Sequence, residues 1–197
     1  MVHQGLPLKI VPMLQLVIDG PAAIGDTAPD AAAEFGACTG YETPEGHTGW
    51  HPLVCRLYDY WRSIAPPGRL PGRQHLVPED IAPLWSRAWM LDVFRDPLRY
   101  RYRLCGTEVV RSLGREVTGE WLDEVHPGLI ADPQSHQRFH FMVETGCPTW
   151  CRGLPLFARD PNPQMIETCI VPLAGDGRTV DKMLAVSVLF DRAGRPI

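Results

Sequence analysis

The chain lacks the sequence features that define several large function classes. It has no uninterrupted apolar run of the roughly 18 residues that indicate a membrane-spanning helix. It also has no Walker A phosphate-binding loop, no Gly-x-Gly-x-x-Gly dinucleotide motif and no Gly-x-Ser-x-Gly nucleophile motif. The sequence therefore predicts a protein that neither contacts a membrane nor catalyses a reaction.

An excess of positive charge is missing as well. The 197 residues contain 19 Lys and Arg against 23 Asp and Glu, which gives a net charge of -4. Proteins that bind nucleic acid through its phosphates need a basic surface that displaces counterions. We therefore expect no nucleic-acid partner. The length and the hydrophobic fraction of 45% are sufficient for one packed domain.

The six cysteines include no Cys-x-x-Cys pair. A chain of this length does not depend on disulfides, and a free cysteine behaves as a small apolar residue. We expect reduced, buried thiols and a cytoplasmic location. The apolar residues 6–18 contain Pro12 and are followed by Asp19, which disfavours a secretory signal.

Regular structure is predicted from residue 50 onward. Residues 1–49 are predicted to form an extension or linker, because residues 20–49 are rich in Ala, Gly, Pro and Thr and have no sustained periodicity. Residues 50–68 contain an amphipathic helix, in which apolar residues recur at helical spacing from 53 to 65. Its apolar face, including Leu57 and Trp61, must be covered by the chain's own sheet or by a second copy in a homodimer.

Residues 69–192 are predicted to form one domain that starts with a β-hairpin. Its strands cover Ala88–Phe94 and Arg99–Cys105. In the second strand, two sets of residues alternate: Arg99, Arg101 and Arg103 against Tyr100, Tyr102 and Leu104. A period of two places each set on its own face. The arginine face is interpreted as a solvated surface rather than an anion or nucleic-acid site.

Helices and three further strands follow the hairpin. Thr107 is expected to cap a helix that ends at Gly114, and residues 118–125 are expected to form a short helix. Asp132 and Pro133 start a longer helix to Thr145. The last strands are predicted at Thr149–Phe157, Met165–Leu173 and Lys182–Phe190. Antiparallel strands with the helices on one face make an α+β domain.

This order of elements resembles a PAS domain, a five-stranded antiparallel sheet whose second and third strands are joined by short helices and one longer helix. The amino-acid sequence is also similar to the sequences of a proteobacterial subgroup of short, stand-alone PAS proteins. The resembling residues are Tyr60-Trp61-Arg62, Leu70-Pro71 with Arg73, Pro78-Glu79-Asp80-Ile81, the block from Tyr100 to Glu108, and the block from Gly114 to Glu124. The sequence departs from the family pattern at Val77, where an acidic cap is expected.

The resemblance implies a pocket between the sheet and the helices, and it leaves the cofactor unknown. Photoactive flavin PAS domains carry a reactive cysteine between the second strand and the long helix, and residues 106–128 contain none. Haem PAS domains often use a histidine of the long helix, so His136 and His140 keep haem as an alternative. Together with Cys147 and Cys151 they could also form a zinc site, although the usual finger spacings are absent.

The predicted function is that of a non-enzymatic sensory module that binds a small ligand, a signalling protein or both. Its candidate ligand-binding residues are Tyr102, Trp121, His140, Arg152 and Glu167. Arg152 is expected on an inward strand face, where a lone charge is costly, so Glu167 or an anionic ligand should meet it. No output domain follows Phe190, so the signal is expected to leave by contact.

Two alternatives use the same fold. One is a structural dimerisation adaptor whose core is filled by its own side chains. The other is a small-molecule enzyme in which Arg152, His140 and the tyrosines act as acid–base groups. A well-shaped polar pocket would favour a ligand-binding protein over the adaptor.

Overall fold

Five strands form one antiparallel sheet in the computed structural model, which describes residues 49–155 and 165–197. The strands are β1 (Ala88–Phe94), β2 (Arg99–Cys105), β3 (Thr149–Gly153), β4 (Met165–Leu173) and β5 (Lys182–Phe190). Their order across the sheet is β2-β1-β5-β4-β3. Because β4 and β5 lie inside the sheet and are covered on both faces, their sequences are largely apolar.

The predicted ranges of β1, β2, β4 and β5 are confirmed. β3 ends at Gly153, four residues before the predicted Phe157, and residues 156–164 lie outside the described part of the chain. The extension expected over residues 1–49 also lies outside it, apart from Gly49. No helix among the described residues is long and apolar enough to cross a membrane.

Four helices lie on one face of the sheet. They are α2 (Thr107–Leu113), α3 (Leu122–Val125), α4 (Pro127–Ala131) and α5 (Pro133–Thr145). The start and end of α5 agree with the prediction. The Asp132 side chain accepts a hydrogen bond from the Ser135 backbone N–H at 2.8 Å, and Gly146 ends the helix with a φ of 66°.

The start of α2 differs from the prediction, because its N-cap is Gly106 and not Thr107. The backbone N–H of Gly106 donates to the Ala88 carbonyl at 2.7 Å. A Cβ atom on Gly106 would lie 2.0 Å from the carbonyl oxygen of Trp85. The chain therefore needs a glycine here, and this close approach decides the position of the helix start.

The short helix expected over residues 118–125 is also shorter in the structure. Gly119 donates to the Tyr102 carbonyl at 2.7 Å, and Tyr102 donates to the Glu120 carbonyl at 2.9 Å. These bonds pair residues 119–120 with β2, so the helix begins only at Leu122. His126 ends this helix at Val125 and also begins α4, which has Pro127 in its first turn.

The remaining helix, α1 (Pro52–Ser63), packs on the opposite face of the sheet. Val54 and Leu57 are fully buried there against β4 and β5. The Trp61 indole N–H donates to the Pro172 carbonyl at 2.7 Å. The expected docking of this helix on the sheet is confirmed. The chain's own sheet covers Leu57, and Trp61 is partly buried against the same core, while a homodimer through this helix stays a prediction.

Two 3₁₀ segments, Arg73–His75 and Pro78–Arg87, connect α1 to the sheet. The departure noted at Val77 is visible in the structure, since Val77 is the N-cap of the second segment and its side chain makes no capping bond. Instead, the Val77 backbone N–H donates to the Tyr60 hydroxyl at 2.7 Å. A side chain of α1 therefore supplies a contact at this helix start.

The two faces of the sheet have distinct cores, which we name by what covers them. The α1 face buries apolar residues of all the inner strands, among them Met90, Cys169, Val171, Leu184 and Val186. The cavity face, covered by α2 to α5, buries Leu91, Tyr100, Tyr102, Ile170, Met183 and Ala185.

A β-bulge in β2 changes the face of the sheet on which the side chains after it lie. Leu91 lies opposite Tyr102 and Met90 lies opposite Leu104, so Arg103 is an extra residue without a partner in β1. As a result Leu104 packs on the α1 face, whereas Tyr100 and Tyr102 pack on the cavity face. The predicted grouping of Leu104 with the two tyrosines is therefore wrong.

Candidate functional site

A cavity of about 290 Å³ lies between the cavity face of the sheet and α2 to α5. Most of its wall is apolar, formed by Trp89, Val109, Leu113, Leu122, Leu129, Phe139, Ile166, Ile170 and Leu189. Ligand pockets in proteins commonly measure roughly 300–1,000 Å³ and combine apolar walls with a few polar groups. This cavity is at the small end of that range.

The cavity opens to solvent at one end. Three lining residues there are well exposed: Leu154 at 39%, Ile197 at 41% and the Arg111 side chain at 75%. Arg111 is paired with Glu108 of the same helix, and the Arg87 guanidinium donates to the Ile197 carbonyl at 2.7 Å. The opening is thus bordered by charged groups, whereas the interior is largely apolar.

A first polar cluster in the wall is formed by three strands. The Trp89 indole N–H of β1 donates to the Ser187 hydroxyl of β5 at 2.9 Å. That hydroxyl is also 3.0 Å from the Thr168 hydroxyl of β4. The alternation along each strand places these side chains on the cavity face. They present hydroxyl groups, which can both donate and accept hydrogen bonds, to a molecule in the cavity.

A second polar pair joins β2 to the start of α4. The His126 Nε2 atom lies 2.9 Å from the Tyr102 hydroxyl, and both residues are buried. Burial, assisted by repulsion from Arg115, lowers the pKa of His126 from 6.5 to about 4. Burial also raises the pKa of Tyr102 well above its usual value. Both side chains are therefore neutral over the physiological pH range.

The one buried cation of the cavity wall is Arg138 of α5, which is 8% exposed. Its guanidinium donates to the Thr149 hydroxyl from Nε, to the Thr149 and Thr168 carbonyls from Nη2, and to the Cys151 sulfur from Nη1. The acceptors are one hydroxyl, two peptide carbonyls and the sulfur of Cys151. Within residues 49–155 and 165–197, no carboxylate pairs with Arg138.

Of the five residues predicted to bind a ligand, only Tyr102 lines this cavity. The predicted pairing of Arg152 with Glu167 is present, since their side chains are 2.7 Å apart and the residues are cross-strand neighbours. The pair lies on the α1 face, however, where Glu167 is 1% exposed and also accepts a hydrogen bond from the His51 backbone N–H. It joins the start of α1 to the sheet and does not border the cavity.

Trp121 lies at the outer edge of the sheet, beside β2. The Arg99 guanidinium is 4.2 Å from the centre of its ring, and the Phe94 ring packs edge-on at 5.0 Å. Arg99 also pairs with Asp123 and Glu124. The arginine face of β2 is thus a surface on which guanidinium groups cover aromatic rings, as the sequence interpretation expected.

His140 lies on the side of α5 that faces away from the cavity. With His136 it borders a separate shallow groove along the helix, and both residues are exposed. Their rings are 6.5 Å apart, while Cys151 is buried in the cavity wall. The zinc site considered from the sequence, with Cys151 as a ligand beside His136 and His140, is therefore not formed. In the described part of the chain, no three His, Cys, Asp or Glu side chains are grouped to hold a metal ion.

Sequence reasoning missed the residues that give the cavity its character, chiefly His126 and Arg138. A signal for Arg138 was available in the sequence. Ser135, Arg138, Phe139 and Met142 follow helical spacing and form the buried stripe of α5. A charged residue on an otherwise apolar stripe indicates a buried charge with a role. His126 carries no comparable signal, because its burial depends on the chain turning from α3 into α4.

Comparison with known proteins agrees with this architecture. The family model described as "PAS domain" matches residues 50–186, which is well over half of the chain. No curated protein and no solved structure matches the sequence. The matched range begins just before α1 and includes all the helices, the first four strands and the first five residues of β5. Sheet order, helix placement and the family match together establish that the chain belongs to the PAS domain family, whose members are in general sensory and signalling modules.

Proposed function

We propose that this PAS domain is a non-enzymatic sensor whose signal is the occupation of the cavity by a small molecule. The observation that supports the proposal most directly is the cavity itself, because it combines an apolar wall with hydroxyl, imidazole and guanidinium groups. A core filled by its own side chains, as in the adaptor alternative, would leave no such space.

The state of the polar groups favours binding over catalysis. A general acid or base works best with a pKa near the operating pH. His126, with a pKa of about 4, and Tyr102, with a raised pKa, are both far from neutrality. The Thr168 and Ser187 hydroxyls bond to each other, and neither has a histidine beside it that would activate it as a nucleophile.

β4 offers a physical route from the cavity to the surface of the domain. Its residues Ile166, Thr168 and Ile170 line the cavity, and the alternate residue Glu167 faces α1. A ligand that displaces Thr168 would shift the same strand that anchors the start of α1 through Glu167. In this proposal α1 and the residues before it carry the signal to a partner protein.

The proposal includes a cytoplasmic setting. Its support is chemical: Cys169 is a free thiol that is fully buried in the core of the α1 face. A reducing compartment keeps such thiols in the state on which the packing depends.

A blocked cavity tests the proposal. Ser112 of α2 lines the cavity and Ser63 of α1 does not, yet each donates its hydroxyl to the carbonyl three residues earlier. Ser112→Phe should fill the cavity, and Ser63→Phe is the matched control on an exposed helix face. A thermal-shift screen of metabolites should raise the melting temperature of the wild type and the control, by several degrees for a ligand at about 100 times its Kd.

The Ser112→Phe protein should fold and show no such shift. If it responds to the same compounds as the wild type, the binding site is elsewhere. If no compound stabilises the wild type, the proposal of a ligand sensor fails.

A further inference from the structure

The charged side chains that line the cavity have a net positive charge, whereas the chain as a whole is negative. The lining contains three arginines, Arg87, Arg111 and Arg138, against one glutamate, Glu108, a side-chain balance of 3 - 1 = +2. The chain as a whole has a net charge of -4. His126 adds no charge near neutral pH, because burial lowers its pKa to about 4. The potential in and around the opening therefore favours anions over cations.

Arg138 is the charged group that a ligand inside the cavity would meet. A guanidinium has five N–H donors. Four of them are used for the bonds to Thr149, Thr168 and Cys151, which leaves one N–H of Nη1 without an acceptor in the described structure. The other Nη1 bond goes to the sulfur of Cys151, a weak acceptor that itself lines the cavity. Nη1 is thus the part of the guanidinium next to the open space.

Among the described residues Arg138 has no carboxylate partner, and a buried cation in this situation is costly, because dipoles replace only part of its lost hydration. An anion beside Nη1 would supply the missing counter-charge. The rest of the space is small and apolar, which leaves room for one charged group and an uncharged body. A single interior cation matches a monoanion better than a phosphate dianion, which proteins usually bind with several donors.

We infer that the cavity binds a small monocarboxylate with an apolar body, with its carboxylate at Nη1 of Arg138 and its body against Leu113, Leu122 and Phe139. This inference rests on the proposed function and adds the chemical class of the ligand. Arg87 and Arg111 at the opening attract the anion, and Arg138 holds it.

The test compares each acid with its neutral primary amide, which has nearly the same shape. Calorimetric titration of the full chain at pH 7.5 would use acetate, butyrate, octanoate, benzoate and phenylacetate with the corresponding amides. At least one acid should bind about tenfold or more tightly than its amide, since a buried hydrogen bond to a charged group is worth that factor.

Two arginine variants test whether the preference for the acid over the amide depends on Arg138. Arg138→Gln should remove the difference between acid and amide, and the control variant Arg62→Gln, on the exposed side of α1 and outside the cavity lining, should keep it. Should Arg138→Gln not fold, Arg138→Lys retains a charge but lacks the Nη1 geometry, and it should weaken acid binding more than amide binding. An NMR titration of the wild type should also shift the Arg138 side-chain N–H signals on addition of the acid.

The outcomes separate this inference from the proposed function. Equal affinity for acids and amides, or a preference that persists in Arg138→Gln, overturns the carboxylate assignment and leaves a neutral ligand for the sensor. If none of these compounds binds, the carboxylate assignment is overturned as well. The metabolite screen of the wild-type protein then decides separately whether the sensor proposal stands.

Discussion

The two faces of the sheet bury their side chains in different ways. On the α1 face, Leu57, Val171 and Leu184 meet in an apolar core, and the buried Glu167 carboxylate is paired with Arg152 and accepts a hydrogen bond from the His51 backbone N–H. On the cavity face, hydroxyls, an imidazole and the guanidinium of Arg138, which has no carboxylate partner among the described residues, border open space. Under the proposed function, the α1 face supplies stability and the cavity face gives up some stability in order to bind a ligand.

The strands show how one sequence serves both faces. β4 and β5 alternate between them residue by residue, so a ligand on the cavity face and α1 on the other contact the same backbone. This shared backbone is why the α1 face matters to a sensor. A rigid α1 face would transmit a small displacement, whereas a loose one would absorb it.

Matched leucine truncations should have the largest effects and should differ between the faces. Leu57→Ala removes a fully buried side chain from the core of the α1 face and should lower the free energy of unfolding by about 3–5 kcal/mol. Leu122→Ala, which borders the cavity, should cost only about half as much, because part of that side chain already lacks neighbours. Urea denaturation of both variants measures this. Equal losses of unfolding free energy in the two variants would contradict the proposed difference between the two faces.

The cavity face should also lose stability in acid. His126 has a folded-state pKa of about 4 against an ordinary 6.5, so the unfolded chain binds its proton more readily. The stability contributed by the neutral imidazole is present above pH 6.5 and declines as the pH falls toward 4, by about 3 kcal/mol in all. His126→Gln should remove this part of the pH dependence. Unfolding curves between pH 7 and pH 4 that coincide for both proteins would contradict it.

Removing both members of the Arg152–Glu167 ion pair should destabilise the protein less than removing Arg152 alone. Arg152→Met leaves the buried Glu167 carboxylate without its cation and should cost about 2 kcal/mol, less than for a fully buried pair because Arg152 is 38% exposed. Replacing both residues, with Arg152→Met and Glu167→Leu, should cost clearly less than the single change. A double variant at least as unstable as the single one would show that the loss in Arg152→Met does not come from the buried Glu167 carboxylate being left without its cation.

The smallest effect is expected for the hydroxyl cluster. Ser187→Ala removes the acceptor of the Trp89 indole N–H and the partner of Thr168, at a cost of about 1 kcal/mol. Because these groups border a cavity that water can enter, the loss should be smaller than for a sealed core. Ligand affinity should change more than stability does. A variant with unchanged affinity would exclude this cluster from the binding site.

The sequence alone predicted the strands, α1, α5 and the order of elements, because period, caps and turn residues are local signals. The bulge at Arg103 was not predictable, since it depends on the register with β1. The cap at Gly106 depends on the approach of Trp85, which is equally non-local.

The candidate site was only partly predictable for a related reason. Alternation along β3 and β4 paired Arg152 with Glu167 correctly, but a period of two does not say which face borders the cavity. His140 was chosen as a histidine of the long helix, yet the buried stripe of α5 passes through Arg138 and Phe139. The cavity itself arises from the packing of four helices on the sheet, which no single segment encodes.

Methyl NMR of the intact protein tests the division between the two faces most directly. A compound selected by the thermal-shift screen would be titrated into protein with labelled Leu, Ile and Val methyl groups. We predict that the largest shifts occur at Leu113, Leu122 and Ile170 of the cavity wall, with only small shifts at Leu57 and Leu184 of the α1 face. Largest shifts at Leu57 and Leu184, with the cavity methyls unmoved, would contradict the assignment of the cavity as the ligand site.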